Sequence, residues 1–187
     1  TWDEAVSRVE NMHLKKYNFL SDKDKNKIID AFSYVRDKTT VPSMRSLQFG
    51  GKAIEVKNEK IYNCAVRHID SIRSFSEVFY LLLCGCGVGL GISKYFLNRL
   101  PDLVNEKDKT GSVITYSVLD TIEGWADSTE VLMMSYFKNT PLTGRKIVFD
   151  YSKIRPEGSP LKIGGGKAPG YKGLKFCHQK IKELFDH

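Results

Sequence analysis

Long apolar segments and cysteines are both scarce in this sequence. No apolar run approaches the roughly 20 residues that a helix needs to cross a bilayer, and the charged, amphipathic start "TWDEAVSRVE" is not typical of a signal peptide. Four cysteines, Cys64, Cys84, Cys86 and Cys177, are too few and too irregularly spaced for a disulfide scaffold. These absences predict a cytoplasmic chain with no membrane partner.

Metal-ligand spacing is absent as well. Cys84 and Cys86 form a C-x-C pair that no second pair follows, and the four histidines are not spaced as ligands. The sequence therefore predicts no metal site.

Acidic residues are the minority charge. There are 22 Asp and Glu against 29 Lys and Arg, which gives a formal charge of +7 and would attract nucleic acid or small phosphorylated molecules. The basic residues are dispersed, however, and stretches such as "KDKNK" contain both signs. This pattern favours a solvated surface, so we expect no nucleic-acid partner.

The first hundred residues are predicted to form helices, followed by two strands joined by a helix. Residues 2–16 have apolar side chains at helical spacing, and Ser21 is placed to cap a second helix. A short helical piece is expected to end at the pair Gly50–Gly51. Residues 60–69 predict a buried strand, followed by a helix capped by Ser71 or Ser74 and a strand over 87–93. This order predicts one parallel βαβ unit.

The second half is predicted to be mainly helical. Residues 112–139 read as one long helix or as two helices broken at Gly124, and residues 145–156 as a third parallel strand. Residues 157–173 form a loop rich in Gly, Pro and Lys before a last helix that runs to the chain end. We find no internal repeat. A three-stranded sheet with an unpartnered last helix is incomplete, so we expect the chain to be part of a larger protein.

Two glycine-rich segments raise the question of a ligand. "GCGVGLG" follows a helix and precedes a strand, the reverse of the order in a dinucleotide-binding loop, so it predicts close approach of another backbone or of a ligand. "IGGGKAPG" has Ala168 where a phosphate loop needs Ser or Thr, and remains either an anion-binding loop or an exposed one. Cys64 is either a buried small hydrophobe or a functional thiol.

These segments occur together, in the same order, in one family. The stretch "YNCAVRHIDSIRSFSEVFYLLLCGCGVGLGISKYFLNRLP", then "GWADS" and "KIRPEGSPLKIGGGKAPG", closely resembles the large catalytic chain of ribonucleotide reductases. The opening "TWDEAVSRV" resembles the start of their N-terminal helical region. The chain is most similar to the N-terminal portion of the adenosylcobalamin-dependent class II enzymes, which include the monomeric triphosphate reductases.

The resemblance implies specific roles for residues of this chain. Cys64 in "YNC" matches the cysteine on the first barrel strand that gives an electron and a proton to the ribose. Asp70 in "HIDS" matches the acid that contacts the deoxyribose of an allosteric nucleotide. The expected substrate-binding residues are Ser43, Asn63, Gly91, Ile92 and Ser93, and the expected effector-binding residues are Asp70, Ser71, Ile72, Arg155 and Lys162.

The resemblance also implies an α/β fold in two parts. A helical region over 1–57 would precede the first half of a ten-stranded α/β barrel over 58–187, incomplete in this chain. A helical insertion at about 94–146 would imitate a dimer partner and complete the effector site within one chain.

The implied activity is that of a thiol-dependent ribonucleoside-triphosphate reductase. Adenosylcobalamin would supply the radical, and a thioredoxin-like reductant would restore the thiols. The chain contains no radical-cysteine loop, so it is expected to be inactive without a companion chain or the remainder of the enzyme, and to act in the cytoplasm, a host's if the protein is viral. Two alternatives stay open: a class with a separate metal radical subunit, and a non-catalytic deoxynucleotide-binding module.

Overall fold

The computed structural model describes residues 1–161 and 166–186, and the chain divides into two compact units, residues 1–63 and 64–187. The elements in chain order are α1 (Trp2–Lys16), α2 (Asp22–Arg36), α3 (Met44–Phe49), α4 (Lys52–Val56), β1 (Cys64–His68), α5 (Ile72–Leu83), β2 (Gly87–Gly91), α6 (Lys94–Leu97), β3 (Val113–Ser117), α7 (Ile122–Tyr136), β4 (Lys146–Asp150) and α8 (Lys172–Phe185). Short 3₁₀ turns lie at Asn58–Ile61 and Glu106–Asp108. No helix of the described residues is long and apolar enough to span a membrane.

The first unit consists of short helices around a small apolar core. The two predicted helices are confirmed as α1 and α2, and the hydroxyl of Ser21 accepts a hydrogen bond from the Asp24 amide at 3.2 Å, as expected of a helix cap. Val9, Met12 and Ile54 form the buried cluster. Gly50 ends α3 beside Val9, where a Cβ would lie 2.6 Å from a methyl group of that side chain.

The second unit begins with the predicted parallel βαβ unit. β1 pairs with β2 in parallel, with Cys64 opposite Gly87 and His68 opposite Gly91, and α5 connects the two strands. Ser71 is the N-cap of α5, one of the two residues predicted for that role. The prediction that this strand is buried is wrong, since Cys64 is exposed and Val66 is 72% exposed.

A second parallel βαβ unit follows, where the sequence analysis placed a helix over 112–139 and a strand over 145–156 but no strand before the helix. β3 pairs with β4 in parallel register, Val113 opposite Lys146, and α7 connects them. Val113–Ser117 is rich in β-branched and aromatic residues, and this local preference prevails over the helical periodicity of the apolar residues around it. Gly124 does not break a helix. It lies in the first turn of α7, where a Cβ would be 2.7 Å from the Cβ of Leu119.

The two βαβ units form an internal repeat that the sequence analysis missed. In each, a strand leads through a short Asp-containing segment, "IDSI" at 69–72 and "LDTI" at 119–122, to a helix capped by Ser71 or Thr121. The helices α5 and α7 pack against each other in opposite directions. Arg73, early in α5, contacts Glu130 in the second half of α7 at 3.0 Å, and Tyr80, late in α5, lines one cavity with Glu123 near the start of α7.

The sheets are therefore smaller than predicted. The third strand does not extend the first pair, because β4 pairs with β3, and the described residues form two separate two-stranded parallel sheets. A mixed helix and strand fold is confirmed, while a ten-stranded barrel is not seen. The last helix, α8, ends at Phe185, and its buried Leu174 packs with Val118 and Ile154.

Candidate active site and nucleotide-binding residues

The predicted catalytic thiol lies on an open face of the β1–β2 sheet. Because alternate residues of a strand point to opposite faces, Cys64 shares its face with Val66 and His68. The register places the three glycines of β2, Gly87, Gly89 and Gly91, beside these three residues. A side chain of β1 thus stands next to a strand whose same face is bare backbone, which leaves room for a flat ligand beside the thiol.

A histidine lies at one end of the glycine strip, the bare face formed by Gly87, Gly89 and Gly91. The ring of His68 lies over Gly91, where a Cβ would be 2.0 Å from its Nδ1 atom, and stacks on Phe96 at 4.0 Å between ring centroids. Only glycine at position 91 permits this placement. Sequence reasoning missed His68 as a site residue, although its spacing of four from Cys64 places both on one face.

The other predicted substrate residues beyond β2 are exposed. Ile92 is 63% exposed, and Ser93 caps α6, where its hydroxyl accepts a hydrogen bond from the Phe96 amide at 3.5 Å. Ser43 and Asn63 belong to the first unit and are exposed there. The hydroxyl of Ser43 makes no capping hydrogen bond to α3.

Gly85, before β2, has a different structural role from the glycines of the strand. Gly85 has φ +87° and follows the last turn of α5. The Cys86 amide donates to Leu81 O at 3.0 Å, and the Gly85 amide to Leu82 O at 2.9 Å, which is the hydrogen-bond pattern of a Schellman helix end. Cys84 and Cys86 are buried around this turn.

Asp70 lies at the carboxyl end of β1 among cations. Its carboxylate accepts a hydrogen bond from Ser74 Oγ at 3.0 Å and pairs with Arg67 at 3.2 Å and with Arg99 at 3.8 Å. The hydrogen bond from Ser74 and, to a lesser extent, the charges of the two arginines lower the pKa of this carboxyl group. Asp70 is therefore ionised at neutral pH and can accept hydrogen bonds from a sugar hydroxyl.

Arg155 lies in the second βαβ unit, beside an acid that the sequence analysis did not select. Its Nε donates to Asp120 Oδ2 at 2.6 Å, and its Nη1 donates to Pro160 O at 3.3 Å. These bonds hold the segment after β4 against the carboxyl end of β3. Asp120 occupies, in the second repeat, the place that Asp70 occupies in the first.

The predicted effector residues are therefore not all brought together. Because α5 and α7 run in opposite directions, Asp70 at the start of α5 and Arg155 near the start of α7 lie about one helix length apart, roughly 18 Å for 12 residues. Ser71 and Ile72 lie with Asp70. Lys162 is outside the described residues.

The described residues contain no cluster of metal-ligand side chains. No group of three or more His, Cys, Asp or Glu side chains in this part of the chain is arranged to hold an ion.

Comparisons with known proteins agree with the fold. Residues 100–184 match the insertion domain of B12-dependent ribonucleotide reductases. A probable adenosylcobalamin-dependent ribonucleoside-triphosphate reductase of Dictyostelium discoideum is 41% identical over 73 residues, 38% of this chain and 9% of the relative. The adenosylcobalamin-dependent ribonucleoside-triphosphate reductase of Lactobacillus helveticus is 26% identical, over 90% of this chain and 31% of its own length.

A solved structure shows the same fold. The crystal structure of a B12-dependent, class II ribonucleotide reductase superposes with a TM-score of 0.83 at 20% identity, over 99% of this chain and 34% of that one. The chain thus spans about a third or less of the length of these relatives. The recognition made from the sequence is confirmed: the chain is related to the class II, B12-dependent ribonucleotide reductases and is similar to a part of their large chain.

Proposed function

We propose that this chain forms part of a class II ribonucleotide reductase that converts ribonucleoside triphosphates to deoxyribonucleotides. In the net reaction the 2′-hydroxyl leaves as water, a hydrogen takes its place, and two thiols are oxidised to one disulfide. Cys64 would supply one of the two thiols, and the second would come from the rest of the enzyme. The observation that carries the proposal is the exposed Cys64 beside the bare strand Gly87–Gly91, in a chain related to enzymes of this name.

The geometry suggests how the residues of this chain would act. The open glycine strip would let a ribose lie flat against β2, and His68 would limit its movement at the Gly91 end. The thiol must reach one carbon of the ribose, so it needs a fixed position. A strand supplies one, because the hydrogen bonds of the sheet hold its backbone in place. An external thioredoxin-like reductant would reach Cys64 from the exposed face. The residues Ser43, Asn63, Ile92 and Ser93 remain proposed substrate contacts.

Neither of two cavities among the described residues suits adenosylcobalamin. They have volumes of about 320 and 360 Å³ and are lined in part by charged side chains, which suits a small polar ligand and not a corrin ring with its nucleotide. We propose that the cofactor is bound by the part of the enzyme that does not correspond to this chain.

For the effector, we propose a site centred on Asp120 and Arg155. Asp120 would accept a hydrogen bond from a deoxyribose hydroxyl, and Arg155 would contact phosphate through the N–H groups that it does not donate to Asp120 and Pro160; the support is that the two side chains lie together at 2.6 Å. Lys162, in the same segment of sequence, is proposed as a second phosphate contact. Asp70, Ser71 and Ile72 form the corresponding end of the first repeat, and they remain candidates for a separate contact.

The barrel is part of the same proposal. The β1–β2 pair would be an arc of a larger parallel barrel, and the second repeat would lie within the insertion that imitates a dimer partner, which was expected at about 94–146 and overlaps the family match over residues 100–184. The antiparallel packing of α5 on α7 supports this, because two copies related by a twofold axis bring identical helices together in opposite directions.

Nucleotide titration separates the two candidate acids. Calorimetric titration of the chain with dATP, dGTP and dTTP should give binding that Asp120→Asn and Arg155→Gln each weaken by about tenfold or more, corresponding to at least ~1.4 kcal/mol. Asp70→Asn is the matched control, since it removes the same charge at the other end of the helix pair. If Asp70→Asn abolishes binding while Asp120→Asn leaves it unchanged, the assignment to Asp120 is wrong.

A further inference from the structure

A cavity of about 320 Å³ lies in the second unit, away from the residues considered so far. It is bounded by the first residues of β4, the last turn of α7 and the last turn of α8. The lining residues are Val104, Lys109, Gly111, Leu132, Ser135, Tyr136, Gly144, Arg145, Lys146, Ile147, Lys182 and Asp186. One wall is apolar, through Leu132, Ile147 and Val104, and the rim is charged.

The rim has an excess of positive charge. Lys109, Arg145, Lys146 and Lys182 face one acid, Asp186, among the lining residues. Neither Arg145 nor Lys146 forms an ion pair with any residue in the described ranges, and both are exposed. Lys109 pairs at 2.6 Å with Glu106, which is outside the lining. The cations are thus largely available to an anion from solution.

Lys182 is the innermost of these cations. Its ammonium group is partly buried and donates to Ile147 O at 2.6 Å, which leaves two N–H groups for another acceptor. Burial lowers the pKa of Lys182, and the nearby Lys146 adds to the shift while Asp186 opposes it. A positive charge held in this way gains most from an anionic partner that enters the cavity.

The cavity is separate from the proposed effector site. It lies at the amino end of the β3–β4 pair, next to Lys146, whereas Asp120 and Arg155 lie at the carboxyl end, beyond Ser117 and Asp150. A five-residue strand separates the two ends by about 13 Å. The two sets of residues therefore lie at opposite ends of the strand pair.

We propose that this cavity binds a phosphorylated small molecule of about mononucleotide size. Its phosphate would contact Arg145, Lys146 and Lys182, and its organic part would lie against the wall formed by Leu132 and Ile147. A volume of about 320 Å³ is at the lower end of the range for small-molecule sites, which suits one phosphate with a sugar and base and excludes a larger dinucleotide. The proposal shares no residue with the reductase site and does not depend on it.

Calorimetric titration with AMP, inorganic phosphate and adenosine tests the proposal on the chain at low ionic strength. AMP should bind more tightly than either fragment, and Arg145→Gln and Lys182→Met should each weaken it by about tenfold, equivalent to ~1.4 kcal/mol. Lys180→Gln is the matched control, because Lys180 is on the same helix, pairs with Glu183 at 2.6 Å, and is not in the lining. It should change the AMP affinity less than about twofold, a difference of ~0.4 kcal/mol.

Several results would overturn the proposal. One is the absence of binding heat when AMP is added to the unmodified chain, and another is a loss of AMP affinity in Lys180→Gln as large as that in Lys182→Met. If Arg155→Gln abolishes AMP binding and Arg145→Gln does not, AMP occupies the effector region instead. Binding of a glutamate-rich peptide through Arg145, without binding of AMP, would make the cavity a protein-docking site. Arg145 is exposed, so Arg145→Gln should fold. If Lys182→Met does not fold, the result for Arg145→Gln still decides the test.

Discussion

Acid should destabilise the second unit through one buried histidine. His178 is 1% exposed, stacks on Phe149 at 4.0 Å, and is bonded through Nε2 to Ser128 Oγ at 3.0 Å and through Nδ1 to Tyr151 Oη at 2.8 Å. The Ser128 hydroxyl donates to Trp125 O at 2.6 Å, so it accepts from Nε2–H, and Tyr151 donates to Nδ1. This arrangement requires a neutral ring.

The magnitude follows from the shift in the pKa of His178. Burial, with a smaller effect of Lys182, lowers it from 6.5 to about 4. As the pH falls below 6.5, the unfolded chain takes up the proton first, so the stabilisation is fully present above pH 6.5 and is lost as the pH approaches 4. At ~1.36 kcal/mol per pH unit the total is about 3 kcal/mol, of which about 2 kcal/mol is lost between pH 7.5 and 5.

Urea unfolding at pH 7.5 and pH 5 measures this loss. The chain has two tryptophans, Trp2 in the first unit and Trp125 in the second, so a Trp2→Phe background makes fluorescence report the unit that contains His178. In that background His178→Phe should be less stable at pH 7.5, by about 1–3 kcal/mol for the unpaired hydroxyl groups, but nearly independent of pH over this interval.

Two controls make the result decisive. His13→Gln removes the other described histidine whose pKa is lowered, which lies in the first unit, and should leave the acid-dependent loss at Trp125 unchanged. In the second unit, Asp70, Asp108 and Asp150 have a lowered pKa, and their contribution to stability is lost below pH 3.8, outside the interval. If His178→Phe does not fold, His178→Gln replaces it. A loss of less than about 0.5 kcal/mol in the unmodified chain, a quarter of the value expected from the pKa shift, would refute the reasoning.

Three further predictions follow from the sheet and its cysteines. Gly91→Ala should displace the His68 ring from Phe96 and lower the free energy of unfolding in urea by about 1 kcal/mol. Gly89→Ala, whose Cβ would be 3.5 Å from a Val66 methyl group, should be nearly neutral. Equal effects of the two substitutions would contradict the contact between His68 and Gly91. Iodoacetamide should alkylate exposed Cys64 much faster than buried Cys84 and Cys86, as read by peptide mass spectrometry, and the reverse order would show that the β1 face is covered. Gly124→Ala should destabilise the second unit by about 1–3 kcal/mol, because its Cβ would collide with Leu119, and a stability gain there would place the start of α7 elsewhere.

Local sequence signals were sufficient for the elements with clear caps and periodicity. The first two helices, the Ser71 cap and the strand Gly87–Gly91 could all be predicted, since each depends on neighbouring residues alone. β3 was missed because its five residues adjoin a long apolar helix, and the combined stretch has a helical periodicity. The pairing of β4 with β3 depends on contacts between residues about 33 apart, which periodicity does not report.

The candidate site was predicted only in part for the same reason. Cys64 and Gly91 were found through the resemblance, but the burial expected of Cys64 was wrong, because periodicity cannot tell a strand covered on both faces from one with an open face. Asp120 was missed because its relation to Asp70 is visible only once both βαβ units are seen. The repeat preserves the order Asp, hydroxyl cap and Ile, and little else of the sequence.

Turnover of the complete reductase tests the central claim most directly. In the full-length enzyme with its cofactor and a dithiol reductant, Cys64→Ser should abolish multiple-turnover formation of deoxyribonucleotide, while Cys84→Ser and Cys177→Ser should retain it. Nucleotide binding by Cys64→Ser should be unchanged, which separates a lost thiol from a lost fold. Sustained, reductant-dependent turnover by Cys64→Ser would contradict the assignment of the open β1 face as part of the active site.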